Sequence, residues 1–195
     1  VVIHGRVHPV DLIVDEVGSV VVNNVHLGAG ASAARYGAGW KARLGAVGVG
    51  RLNLGRIGYP IGAAQAALSP PTVRLRVEID GQVVNDLDRP VLMLAVGNGT
   101  TVGGGTALTP EADARDGKVD VMVSRAVGPL ARVGYAAQLL VGRHQERDDV
   151  LYLRGREVSV AGEEFWLSAD GEISGPERKR TWHLEPGAYS MVLPD

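Results

Sequence analysis

The segment Ser168-Ala169-Asp170-Gly171-Glu172 ends on two carboxylates separated by one glycine. Such a pair at the end of a strand can place one carboxylate beside a reacting hydroxyl as a general base, while the other orients that group or a metal ion. Asp-Gly is also a frequent hairpin turn. The segment therefore has two interpretations, a proton-transfer site and a plain turn.

A second segment, Pro110 to Asp120, has acidic residues around the pair Asp116-Gly117. Mg²⁺ and Ca²⁺ prefer carboxylate and carbonyl oxygens, so this composition suits a hard cation. It is not an EF-hand, because no Glu closes the loop at the required distance. The alternative is a solvated turn that leads into a strand over residues 119–123.

A third segment, Gly97-Asn98-Gly99-Thr100-Thr101-Val102-Gly103-Gly104-Gly105, is rich in glycine and follows an apolar run. Glycines after a buried strand let backbone N–H groups approach a phosphate. The segment lacks the Lys-Ser or Lys-Thr ending of a P-loop. An Asn-Gly turn with a glycine-rich bend at the corner of a β-sandwich is the favoured interpretation.

The composition excludes several classes of protein. The 195 residues include no cysteine, which excludes disulfide scaffolds, thiolate metal sites and cysteine nucleophiles. The formal net charge of −2 leaves no basic excess, so nucleic acid is not an expected partner. No apolar run reaches the ~20 residues of a membrane-spanning helix. The five histidines show no paired metal-ligand spacing.

Short apolar runs with an alternating pattern predict strands along most of the chain. The clearest is Val73 to Ile79, which Asp80-Gly81 turns back as a type I′ hairpin into Gln82 to Val84. The continuous apolar run Pro90 to Val96 is typical of a strand buried on both faces. Further strands are predicted at 10–15, 20–25, 120–124, 150–153, 157–160, 165–168, 181–184 and 189–193.

One helix is predicted clearly, from Pro129 to Val141, with Gly142 as its C-terminal stop. Leu130, Val133, Ala137 and Leu140 share one apolar face of this helix. Short helices are also predicted at 31–36 and 57–68. Residues 1–195 are therefore expected to form a single mainly-β domain, a two-layer β-sandwich with a few short helices.

The order of these segments resembles the C-terminal domain of bacterial lipid kinases of the diacylglycerol kinase family. No single motif is specific, but the series in order is. The resemblance extends from about Asp11 to Leu193. It rests on Val22-Asn23-Asn24-Val25-His26-Leu27-Gly28-Ala29-Gly30, Gly97-Asn98-Gly99, Gly103-Gly104-Gly105, Leu108-Thr109-Pro110, Asp116-Gly117, Asp120-Val121, Gly142-Arg143-His144 and Asp170-Gly171-Glu172.

This resemblance implies a sandwich that packs against an N-terminal α/β domain, whose Gly-Gly-Asp-Gly-Thr loop holds ATP. That loop is absent from this sequence, and the chain starts at Val1 without a methionine. The expectation is a fragment, the C-terminal half of a two-domain kinase, which alone is inactive. ATP would then bind mainly to the missing N-terminal nucleotide-binding domain.

The resemblance also implies roles for individual residues. Glu172 becomes the candidate general base for the lipid hydroxyl, with Asp170 as a supporting carboxylate. The structural Mg²⁺ loop of the family falls on Arg115-Asp116-Gly117, where Arg115 replaces its first Asp. Asp116 is then the expected carboxylate ligand. Carbonyl groups near Asp113 and Lys118 are the further expected ligands.

The leading hypothesis is an ATP-dependent lipid kinase that phosphorylates the hydroxyl of diacylglycerol or a similar lipid alcohol. One alternative is a related sphingoid or NAD kinase-type domain, and another is a non-catalytic β-sandwich that binds a ligand or partner. The kinase hypothesis implies a cytoplasmic location with peripheral contact at the inner face of the membrane. A homodimer is compatible with it.

Overall fold

The structure, a computed structural model, describes residues 5–29, 31, 72–103 and 105–193. Within these ranges it contains thirteen strands and one α-helix described over its whole length, and Ala29 and Ala31 are also helical. The strands are β1 (Arg6–Asp15), β2 (Val20–Val21), β3 (Asn24–Gly28), β4 (Val73–Ile79), β5 (Gln82–Asn85), β6 (Pro90–Val91), β7 (Met93–Gly97), β8 (Thr101–Val102), β9 (Thr106–Ala107), β10 (Val119–Ser124), β11 (Val150–Gly155), β12 (Glu157–Ala169) and β13 (Glu172–Leu193). The helix is α1 (Pro129–Leu140), and a 3₁₀ turn follows at His144–Glu146.

The long strand β12 connects the two halves of the fold. Its first part, Val158–Gly162, pairs with β4, and its last residues, Leu167–Ala169, pair with β3. The register shifts between Ala161 and Leu167, where the partner changes. Eleven strands form one sheet, and eight of them follow the order β11-β10-β7-β3-β12-β13-β1-β2. The other three branch from β12, because β4 pairs with β12 and also with β5 and β6. Strands β8 and β9 form a separate hairpin.

The two layers enclose one aliphatic core. Side chains from β3, β7 and β10 meet those from β1, β4 and β13, and Phe165 of β12 is 2% exposed among them. Alternation along β4 is regular, since Leu75 and Val77 are fully buried while Arg74 and Arg76 face solvent. The mainly-β, sandwich-like fold expected from the sequence is confirmed.

Strand β7 is buried on both faces, as its continuous apolar run predicts. Leu94 and Val96 point into the main core, whereas Met93 and Ala95 belong to a second cluster on the outer face of the sheet. Tyr135 of α1 closes this second cluster. The helix therefore covers the layer that carries β7 and β10.

The position of α1 agrees with the sequence, but the apolar face identified from the sequence is not the one that packs against the sheet. Leu130 is 88% exposed and Leu140 is 84% exposed, and Val133 and Ala137 also face solvent. The helix instead packs through the stripe formed by Ala131, Tyr135 and Leu139. Both stripes have helical spacing, and the larger aromatic ring of Tyr135 fills the space over β7 and β10.

Local turn chemistry agrees with the sequence. Asp80 and Gly81 have φ values of 49° and 78°, as a type I′ hairpin requires. Gly142 has a φ of 69°, and its N–H donates to the carbonyl of Leu139 at 3.2 Å, which ends α1. The helix predicted at 57–68, and all but Ala31 of the one at 31–36, lie outside the described residues.

Candidate functional site

The Asp170-Gly171 pair forms the tight turn between β12 and β13. Ala169 pairs with Glu172 across it, and the φ values of Asp170 and Gly171 are 48° and 93°. Two successive positive φ values mark a type I′ turn. The turn interpretation of this segment is therefore correct for its backbone, which leaves the roles of the two carboxylates to be decided by their surroundings.

The Asp170 carboxylate holds the turn against the connection between β2 and β3. Its Oδ2 accepts the N–H of Val22 at 2.7 Å, and its Oδ1 accepts the N–H groups of Asn23 and Asn24, each at 3.0 Å. The N–H of Asp170 in turn donates to the carbonyl of Asn24 at 3.0 Å. This carboxylate positions the hairpin.

The Glu172 carboxylate is exposed, as Asp170 is, but it differs because it has no hydrogen bond or ion pair to any other described residue. It lines a cavity of about 480 Å³, here called the Glu172 cavity. Among the residues that line this cavity are Ser19, Asp170, Glu172, Ser174, Arg180 and Trp182. Glu172 is thus the carboxylate of the pair that is free to accept a proton from a bound group.

Arg180 provides a fixed positive charge in the wall of the Glu172 cavity. Its guanidinium donates to Glu177 and, through Nη1, to Asp15 Oδ2 at 2.6 Å. The hydrogen bond to Glu177, more than the charge of Asp15, raises the pKa of Arg180 above its ordinary value. Because both carboxylates already neutralise this guanidinium, Arg180 holds the strand geometry and adds little attraction for an anion.

A second cavity, of about 410 Å³, adjoins the same turn and is here called the His26 cavity. It is lined by Val22, Asn23, Asn24, His26, Val102, Gly103, Ser168, Asp170 and Gly171. Asp170 lines both cavities. Sequence reasoning missed His26 as a site residue, although a histidine between the aliphatic residues Val25 and Leu27 was a visible signal.

The predicted metal ligands lie in a loop that lines neither cavity. The carboxylate of Asp113 accepts from Arg115 Nε at 3.2 Å, and the carboxylate of Asp116 accepts from the Arg154 guanidinium. Asp116 Oδ1 also accepts the N–H of Lys118 at 3.0 Å. Within the described ranges, no three acidic or histidine side chains come together in a way that could hold a metal ion.

These contacts do not fit a divalent cation. The Asp116 carboxylate, the expected carboxylate ligand, already faces the Arg154 guanidinium, and the carbonyl of Asp113 accepts the N–H of Asp116 at 3.3 Å. Arg154 also reaches the buried Asp120, with Nε 3.5 Å from Oδ2. Arginine side chains therefore supply the positive charge at this loop.

Asp11 fixes the same loop from the side of β1. Its buried carboxylate accepts the N–H of Gly117 at 2.8 Å and the N–H of Gly187 at 2.7 Å. Its own N–H donates to the carbonyl of Ala114 at 2.8 Å. The carboxylate and the backbone N–H of Asp11 thus both hold this loop, a role for Asp11 that the sequence did not predict.

The Gly97-Asn98-Gly99 bend uses its backbone donors internally. The N–H groups of Asn98 and Gly99 both donate to the carbonyl of Asn23, at 2.8 and 2.9 Å. A Cβ on Gly97 would collide with the side chain of Thr109, so glycine permits a close approach of the chain there. These donors are not available to a phosphate, which favours the structural interpretation of the bend.

Comparisons with known proteins agree with this architecture. The chain resembles the diacylglycerol kinases of Bacillus subtilis, with 24% identity over 123 residues, and of Mycobacterium tuberculosis, with 28% identity over 124 residues. These matches cover 63% of this chain in each case, but only 40% and 39% of the two relatives. The chain thus spans about two fifths of the length of the curated relatives it matches.

A crystal structure of a diacylglycerol kinase from Bacillus anthracis str. Sterne superimposes with a TM-score of 0.67 and 23% identity. The superposition covers 96% of this chain and 56% of that one, and it establishes the fold. Residues 19–193 match the family described as the YegS C-terminal NAD kinase beta sandwich-like domain. That match includes every described strand except β1 and the whole lining of the His26 cavity, and the chain belongs to this family.

Proposed function

We propose that this chain is the part of a lipid kinase that presents the catalytic base to the lipid, and that Glu172 is that base. In the proposed reaction the hydroxyl oxygen of diacylglycerol, or of a similar lipid alcohol, attacks the γ-phosphorus of ATP. The hydroxyl proton passes to the Glu172 carboxylate, and ADP leaves with the electrons of the broken P–O bond. ATP itself would bind mainly to an N-terminal nucleotide-binding domain.

The observation that carries this proposal is the contrast between the two carboxylates of the hairpin. Asp170 is engaged by three backbone N–H groups, whereas Glu172 is unpartnered among the described residues and faces a cavity. A structural turn needs the first carboxylate but makes no use of the second. The relatives from B. subtilis and M. tuberculosis are themselves named diacylglycerol kinases.

Glu172→Gln in the intact protein tests the role of the base. Glutamine keeps the shape and the hydrogen-bonding reach of the side chain but cannot accept the proton. Loss of a general base lowers kcat by about 10²–10⁴-fold, and we expect the KM for the lipid to change little. Glu164→Gln is the matched control, because Glu164 is an exposed glutamate of the neighbouring strand with only a loose ion pair of 3.9 Å.

A non-catalytic binding module is the second candidate. The regular type I′ geometry of Asp170-Gly171 favours it, since that turn is complete without any chemistry. The kinetics of Glu172→Gln distinguish the two candidate functions. A Glu172→Gln enzyme whose kcat stays within about threefold of wild type would contradict the general-base role and support the binding module.

A further inference from the structure

His26 and Ser168 face each other directly across the pairing of β3 and β12. Both side chains line the His26 cavity, and their exposed fractions are 4% and 0%. Within the described part of the chain, neither His26 Nε2 nor Ser168 Oγ has a hydrogen-bond partner. Buried polar atoms are normally paired, so two orphaned atoms on neighbouring strands beside one cavity require an explanation.

The hydrogen bonds around His26 determine which of its nitrogens carries the proton. Asn24 directs its Nδ2 at the carbonyl of Thr101, at 3.5 Å, so its Oδ1 faces His26 Nδ1 at 3.3 Å. An amide oxygen only accepts, so Nδ1 must donate. Burial lowers the pKa of His26 to about 4, which keeps the ring neutral at pH 7. Nε2 is therefore a lone-pair acceptor.

The Ser168 hydroxyl complements this acceptor, because it can both donate and accept. A ligand hydroxyl can donate to His26 Nε2 and accept from Ser168 Oγ at the same time. A carboxylate or a fully ionised phosphate lacks the proton that Nε2 needs. The described lining of the cavity also contains no Lys or Arg, and its one charged side chain is the carboxylate of Asp170.

The remaining walls suit a small ligand with an apolar flank. Val22 and Val102 line the cavity beside the polar pair, and its volume of about 410 Å³ is within the range of small-molecule sites. We propose that the His26 cavity binds the uncharged hydroxyl of a ligand, which donates to His26 Nε2 and accepts from Ser168 Oγ.

We consider two kinds of ligand as the source of this hydroxyl. One is the lipid alcohol, and that identification rests on the proposed kinase function. The other is the ribose of a nucleoside. The hydroxyl chemistry is common to both and depends only on the cavity.

Direct binding to the 195-residue chain tests the proposal without ATP. The probes are 1,2-dihexanoylglycerol below its micellar concentration, the same lipid with its free hydroxyl acetylated, and adenosine. Binding is followed by calorimetry and by the ¹⁵N resonance of His26 Nε2, assigned with His26→Gln. We expect a free-hydroxyl probe to bind and to move this resonance toward that of a hydrogen-bonded nitrogen, while the acetylated lipid does neither.

Ser168→Ala removes one partner of the ligand hydroxyl and should weaken binding by roughly three- to tenfold, as expected for one neutral hydrogen bond. Ser159→Ala is the matched control, because it removes a hydroxyl from the same strand whose partner is Thr181 Oγ1, outside the cavity. It should leave the affinity unchanged.

Three results would overturn the proposal: no binding by either hydroxyl probe, equal binding of the acetylated lipid, or equal affinity of Ser168→Ala and wild type. Preference for the diacylglycerol or for adenosine identifies the source of the hydroxyl, and both results support the site. If the binding test fails and the Glu172→Gln enzyme is inactive, the hydroxyl-binding proposal is wrong and the general-base proposal stands. If the hydroxyl probe binds as expected and the Glu172→Gln enzyme keeps its activity, only the general-base proposal is wrong.

Discussion

Asp170 and Asn24 bind each other through reciprocal hydrogen bonds, although 146 residues separate them in the chain. The N–H of Asn24 donates to Asp170 Oδ1, and the N–H of Asp170 donates to the carbonyl of Asn24, both at 3.0 Å. This link ties the β12–β13 hairpin to the start of β3. The hairpin that carries Glu172 and the strand that carries His26 are thereby held in one arrangement.

We expect Asp170→Ala to lower the free energy of unfolding by about 2 kcal/mol, because three backbone N–H groups lose a charged acceptor in a partly solvated position. The urea midpoint at pH 7 measures the change. Asp88→Ala is the control, since the side chain of Asp88 is 75% exposed and its ion pair with Arg89 is long, at 3.9 Å. Equal stabilities of the two variants would show that the Asp170 contacts contribute little.

Stability should fall as the pH drops from about 6.5 to 4. Histidine in the unfolded chain titrates near 6.5, whereas burial lowers the pKa of His26 to about 4. Between these values the unfolded state binds more protons, so the free energy of unfolding decreases with decreasing pH, by about 3 kcal/mol at pH 4 for this one group. Burial also lowers the pKa of His144, which acts in the same direction.

Urea unfolding of His26→Gln across this pH range checks the assignment. The variant should lose most of that pH-dependent decrease, and the same replacement at His183, whose side chain is 45% exposed, serves as the control. An unchanged pH slope in His26→Gln would show that other groups cause the decrease.

The loop around Asp116 should be stable without Mg²⁺, since Arg154 already contacts both Asp116 and Asp120. We expect millimolar Mg²⁺ to leave the Tm unchanged. A rise in Tm that Asp116→Ala abolishes would instead place a cation at this loop.

Arg154→Met should lower the free energy of unfolding by about 2 kcal/mol at pH 7, because it leaves the buried Asp120 carboxylate without a nearby positive charge. Burial already raises the pKa of Asp120 above its ordinary value. The added substitution Asp120→Asn should therefore recover part of the loss. A double variant no more stable than Arg154→Met would indicate that Arg154 acts through Asp116.

The two apolar stripes of α1 should respond differently to substitution. Leu130→Gln should change the free energy of unfolding by no more than about 0.5 kcal/mol, because Leu130 is 88% exposed. Tyr135→Ala should cost about 3 kcal/mol, because it opens a cavity over β7 and β10. Chemical denaturation of both variants distinguishes the stripes, and the reverse order of effects would mean that Leu130 faces the core.

The sequence by itself determined the local elements of this protein. Alternation predicts β4, and the continuous apolar run predicts the doubly buried β7. The Asp80-Gly81 pair predicts a type I′ turn, and Gly142 predicts the end of α1. Each of these signals lies within a few residues, because backbone preference, side-chain period and glycine at positive φ are properties of a short segment.

Tertiary structure alone decided which apolar stripe of α1 is buried and which polar groups are paired. Leu130 and Tyr135 both lie on stripes of helical spacing, and only the shape of the sheet surface selects between them. Likewise, Asp170 is bonded to Asn24, and the unpartnered His26 Nε2 and Ser168 Oγ lie on directly opposed residues, because the strand order places β3 beside β12. A side chain has no partner until distant segments are brought together, so a carboxylate that holds the backbone and one that is free to react look alike in sequence.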